Sequence, residues 1–210
     1  MSSCKPVSGT DSQISEGTIE FDAKVVDEKH PMAGLAPSAA TVKFKENKFE
    51  FSMSTMGIFN TAFISNPSAK TLTQLVKFMD IKDACIQPEK DLIKENNSYP
   101  LKFEETKDVK KIAGYNCKKI KATLLTSPNV CFDVYYTNEI GGDSINYLSP
   151  YKQIKGMLMQ YRLKKLGLEM EFTATLVKKE EIKNEVFEVP EQYRKVTSLE
   201  MEKLFSDIQN

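Results

Sequence analysis

The chain has 210 residues, 40% of them hydrophobic and 28% charged, enough apolar material for a sizeable core and too much for a disordered chain. Lys+Arg and Asp+Glu are both 29, so no basic excess exists to displace counterions from nucleic acid. No run of 18 apolar residues occurs, Trp is absent and His30 is the only histidine, which excludes a spanning helix and most imidazole chemistry.

Residues 1–17 are polar and contain Gly and Ser, and read as a flexible tether ahead of one domain spanning 18–210. From Thr18 to Val25, Ile19, Phe21, Ala23 and Val25 alternate with Glu20, Asp22 and Lys24, the period of a half-buried strand. His30 lies in a solvated Asp27-Glu28-Lys29-His30-Pro31 loop, followed by a neutral run from Pro31 to Val42. Val42 and Phe44, a turn at Glu46-Asn47-Lys48, then Phe49, Phe51 and Met53 form a hairpin pattern.

Between Phe51 and Ala69 no residue is charged, so both faces of that stretch avoid water. Two readings follow. The stretch is a central hairpin covered on both sides, or one face lines an apolar cavity. Met53, Met56, Met157, Met159 and Met170 suit a cavity wall because thioethers adapt to varied shapes.

The segment Lys70 to Ile86 fits either period, with strand favoured, and Pro88 to Glu95 suits a short helix. Leu101, Phe103 and Glu105 read as a strand. Ile120, Ala122 and Leu124 pass through a Thr126–Asn129 turn to Phe132, Val134 and Tyr136. Ser149-Pro150 starts a short helix through Tyr151 to Lys155. Met157, Met159, Tyr161 and Leu163 then alternate toward a Lys164–Gly167 turn, and Leu168, Met170, Phe172, Ala174 and Leu176 return. Met201, Leu204, Phe205 and Ile208 mark one face of a terminal helix, with Thr197 and Glu200 as its capping box. Charge on alternate positions of most strands predicts an antiparallel sheet with one wet face.

Catalytic signatures are missing. No GxSxG, GxGxxG or Walker-type loop occurs, and Cys4, Cys85, Cys117 and Cys131 are too dispersed for a zinc site. Glu104-Glu105 and Glu180-Glu181 are adjacent, so in strands they point to opposite faces, and Asp133 has no evident partner. The expectation is a non-enzyme with no catalytic residues, cofactor or metal. A disulfide between Cys85 and Cys117 is geometrically open, whereas Cys131 would lie opposite about residue 124; buried free thiols are the simpler reading. Cys4, in Met1-Ser2-Ser3-Cys4-Lys5 before a flexible stretch, has the look of a bacterial lipoprotein processing site, where diacylation would anchor the chain to a membrane. Either a leader was removed ahead of it, or the similarity is chance.

The segment Lys110-Lys111-Ile112-Ala113-Gly114-Tyr115-Asn116-Cys117-Lys118-Lys119-Ile120 reads as a strand preceded by Phe103-Glu104-Glu105-Thr106. Together with Val134–Thr137, the Gly156–Glu171 hairpin and Phe187-Glu188-Val189-Pro190, it resembles uncharacterised secreted or lipoprotein families of the Gram-negative envelope. Those families look similar to the LolA/LolB lipoprotein-carrier fold, a curved antiparallel sheet forming an unclosed barrel with helices on its concave side. The likeness runs from Thr18 to Tyr193. It implies a periplasm-facing envelope location, an outer-membrane anchor on Cys4 and an acyl-chain cavity, and it carries no catalytic residues.

The fold expected is therefore mainly β (α+β), a large curved antiparallel sheet forming an unclosed half-barrel with a few short helices and a C-terminal helix. The function expected is non-enzymatic binding of a lipid or other apolar small molecule in the concave face. Candidate lining residues are Ile19, Phe21, Phe51, Met53, Ile58, Phe59, Phe63, Met157, Met159, Tyr161, Met170 and Phe172. The alternative is a lipid-anchored module with a packed interior that docks another envelope protein. A thiol redox enzyme is a third reading and requires a cysteine of low pKa.

Overall fold

The computed structural model describes residues 13–31, 33–165 and 167–209. The alternating stretches become β1 (Glu16–Val25), β2 (Ala39–Lys45), β3 (Lys48–Thr55), β4 (Phe59–Asn66), β5 (Thr71–Phe78) and β6 (Ile81–Pro88). A short helix α1 (Glu89–Asn96) leads to β7 (Leu101–Ile112), β8 (Tyr115–Leu124) and β9 (Cys131–Thr137). After a long irregular segment come β10 (Met157–Lys165), β11 (Leu168–Lys178), a two-residue β12 (Arg194–Lys195) and helix α2 (Ser198–Gln209). The ambiguous Lys70–Ile86 segment is the β5–β6 hairpin.

Among the described residues these strands make one 12-stranded sheet in the order β12-β6-β5-β4-β3-β2-β1-β11-β10-β9-β8-β7. Neighbours are antiparallel except β12, which runs parallel to β6. The two edges do not meet, so the sheet is an open half-barrel.

Its curvature follows from contacts that a flat sheet forbids. Strands β4 and β10 are five places apart, roughly 24 Å in a flat sheet, yet Lys165 Nζ lies 5.6 Å from the Phe63 ring centre. Phe51 of β3 and Phe172 of β11 are three places apart, and their rings meet edge to face at 5.1 Å. Register shifts between Glu20 and Phe21 and between Leu158 and Gln160 add local bends.

The concave side is filled by the chain itself. Leu92 of α1 and Ile140, Ile145, Leu148, Tyr151 and Ile154 of the irregular segment are buried against the main core. At the other end, Met201 and Phe205 of α2 cover Val76 and Cys85. Outside, Ala62, Ile64, Leu75 and Ala84 are roofed by Ile182 and Phe187. Strand β4 is thus covered on both faces, which accounts for the absence of charge along it. No helix among the described residues is long and apolar enough to cross a membrane.

Several expectations are corrected. The 149–155 segment forms isolated turns, not a helix: Asn146 Nδ2 donates to the carbonyls of Ile154 and Gly156 at 2.8 Å each, and Tyr151 is buried with its hydroxyl donating to the Arg162 carbonyl. The Ile112-Ala113-Gly114-Tyr115 run is the β7–β8 turn rather than continuous strand, with φ of 47° at Ala113 and 92° at Gly114. Both central residues with positive φ match the twist of the flanking strands. Cys85 and Cys117 are buried free thiols, as the simpler reading has it, and lie on β6 and β8 near opposite edges of the sheet, which closes the disulfide alternative; Cys131, by contrast, is free but exposed. Asp133 does have a partner, Lys119 Nζ at 3.0 Å. Glu180 and Glu181 follow β11 instead of lying in a strand. Residues 13–17 are already structured, since Ile14 exchanges backbone hydrogen bonds with Glu139 and Gly141 at 2.8 Å each.

Candidate functional site

Between the concave face and its plug the packing is incomplete, leaving two adjoining cavities. The first, about 90 Å³, lies where β1–β5 and β10 face the irregular segment, with Phe21, Phe49, Phe63, Leu72, Ile145 and Tyr151 among its walls. The second, about 180 Å³, lies between β3–β5, β10–β11 and α2, with Met53, Phe59, Met170, Phe172 and Phe205 among its walls. Phe51, Leu163 and Lys165 line both and form the partition between them. The second cavity reaches the surface at the β3–β4 turn, because Met56 and Ile58 line it while standing 84% and 52% exposed.

The lining is almost wholly apolar, and no Asp, Glu, His or Cys contributes to either wall. Burial pushes the Tyr151 and Tyr161 hydroxyls well above their ordinary pKa, so both stay neutral. The one charged group on either wall is Lys165, whose ammonium is 2.6 Å from Glu95 Oε1 on α1. Ser65, fully buried on β4, adds a hydroxyl to the first cavity. Such a site can hold an oily molecule.

No protein-family model matches the chain, and no curated protein matches it in sequence. Fourteen chains of solved structures do resemble it. They include two crystal forms of PNGF-II, in space groups P21 and C2, each with a TM-score of 0.56 and 16% sequence identity. The matches cover 91% and 92% of this chain but 33% of PNGF-II, so the chain spans about a third of that protein's length. At this identity the likeness extends to the fold alone.

Of the residues named from sequence, Phe21, Phe63, Met157 and Tyr161 line the first cavity and Met53, Ile58, Phe59, Met170 and Phe172 the second. Phe51 lines both. Ile19 and Met159 line neither; both are fully buried in the core. Cys4 lies outside the described residues. Sequence reasoning missed Lys165, Ser65, Tyr151 and Phe205 as wall residues. A signal existed for Lys165: it continues the Tyr161–Leu163 phase, so it shares their face once β10 extends to it.

Proposed function

We propose that this protein is a non-enzymatic carrier or receptor for an apolar ligand, a lipid or acyl chain, held inside the half-barrel. The observation that carries the reading is the pair of adjoining apolar cavities opening at Met56 and Ile58. An apolar cavity of 150 Å³ is enough to bind benzene, and the larger cavity here is about 180 Å³. Eight buried methylenes contribute about 6 kcal/mol, equivalent to tens of micromolar affinity before the ordering cost of binding. Chains longer than that require the Met56–Ile58 rim to move aside. The resemblance of segments such as Lys110–Ile120 to envelope families of LolA/LolB-like fold motivates the same reading, and with it we propose an envelope location with an acyl anchor on Cys4.

A second reading, docking of another envelope protein, draws on Met79, which is 67% exposed on the β5–β6 turn at the same end of the sheet as Met56. The two separate on one experiment. Organic-solvent extraction of the purified protein followed by mass spectrometry, together with titration by the fluorescent fatty acid cis-parinaric acid, is expected to reveal bound lipid or saturable uptake. Absence of both overturns the carrier reading and leaves the docking module.

A further inference from the structure

Two buried polar atoms in this protein have no hydrogen-bond partner among the described residues: the Ser65 hydroxyl and the Gln74 side-chain Nε2. Ser65 is 0% exposed and Gln74 6% exposed. Buried donors are so consistently paired in folded proteins that an unpaired one asks for an explanation. Both occur on the concave face of the β4–β5 hairpin. Ser65 pairs in register with Leu72, and Gln74 with Phe63, which makes Ser65 and Gln74 diagonal neighbours on one side of the sheet. Ser65, Phe63 and Leu72 all line the first cavity, whereas Gln74 lines neither cavity.

A second donor stands on the wall that Ser65 lines. Lys165 Nζ is placed over the Phe63 ring at 5.6 Å from across the half-barrel. Its contact with Glu95 Oε1 at 2.6 Å uses one of three ammonium donors and leaves two. Glu95 itself also accepts from Gln87 Nε2 at 3.4 Å. An unpaired hydroxyl and an ammonium on the wall of one apolar cavity call for a ligand that brings acceptors. A carboxylate supplies two oxygens with about four lone-pair sites and the charge to match Lys165.

We infer that the ligand is an amphiphile with a carboxylate head, held by Ser65 and Lys165, whose chain passes the Phe51–Leu163 partition into the second cavity. This rests on the apolar-ligand reading above and names its ligand class. The second cavity, at about 180 Å³, accommodates about six to eight carbons on the scale set by benzene in 150 Å³. With the head and first carbons in the smaller cavity, a medium-chain fatty acid fills the pair.

The test is calorimetric titration of the protein with decanoate and, separately, with 1-decanol, at a pH where the acid is ionised. Decanoate is expected to bind at least about tenfold tighter than decanol, the scale of a charge-assisted hydrogen bond. Lys165→Met should bring the acid-to-alcohol affinity ratio close to one, and Ser65→Ala should lower it in part, with circular dichroism as the control for folding. Glu95→Gln, which removes a competing negative charge, should tighten decanoate and leave decanol unchanged. Equal binding of acid and alcohol overturns the carboxylate assignment while the cavity reading stands. No binding of either ligand overturns the cavity reading and this inference with it. If a variant fails to fold, the acid-to-alcohol ratio of the native protein decides alone.

Discussion

Asp83 on β6 is 3% exposed, and its two carboxylate oxygens accept from Arg194 Nε and Nη2 at 2.9 Å each. This fork fastens the two-residue β12 to the sheet, directly before α2. Arg194 itself stands largely in solvent, so Arg194→Met should lower stability, but by less than the loss of one partner from a fully buried pair. Guanidinium unfolding checks this, and Arg194→Lys should recover only part of the loss because the ammonium cannot make the planar fork. Burial also decides the thiols: it pushes Cys117 up to about 11, so at neutral pH that sulfur is protonated and poorly nucleophilic. Individual side chains were legible from sequence where strand phase sufficed, as at Phe51, Phe63 and Phe172. Phase alone marks Lys165 as inward, but its charge argues for water until Glu95 is seen to lie beside it. Alternation does not identify an unpaired donor such as Ser65, which depends on the strands that come to lie beside it.

Elements were readable where a local rule settles them. The Thr197–Glu200 capping box is present, with Glu200 Oε2 accepting from the Thr197 backbone N–H and hydroxyl at 2.8 Å each. The Glu200 backbone N–H returns a bond to Thr197 Oγ1 at 3.3 Å. Thr197→Ala should destabilise α2 by about 0.5–2 kcal/mol. Because Phe205 of this helix walls the second cavity, faster amide exchange in α2 should accompany easier access to that cavity; unchanged exchange would show that the box does not control the helix. The irregular 138–156 segment was the poorest reading. Its Ser149-Pro150 start satisfies a helix rule, but burial of Tyr151 and Ile154 and the Asn146 hydrogen bonds prevail over it. Ala113-Gly114 lacks the Asn-Gly or Asp-Gly sequence of a strong turn signal, and the flanking strand-forming residues hid the turn.

At the scale of the molecule, the sequence indicated an antiparallel sheet but not its order. Strand β1 pairs with β11, joining residues such as Thr18 and Lys178 in mid-sheet, while the last strand, β12, lies at the edge beside β6. Period-two alternation states which residues share a face, not which strand lies beside which or which face is concave. Those follow only when the curl brings Phe51 against Phe172 and Phe63 beneath Lys165. The same curl creates the cavities, so fold and proposed function stand on one geometric fact. Ile58 sits on the cavity rim, and the chain contains no tryptophan, so Ile58→Trp installs a single tryptophan at the entrance, which can be excited apart from the tyrosines. Its fluorescence during titration with decanoate tests the account most directly. A saturable blue shift at stoichiometric binding is the predicted result, and a spectrum unchanged up to the solubility limit of the acid would contradict it.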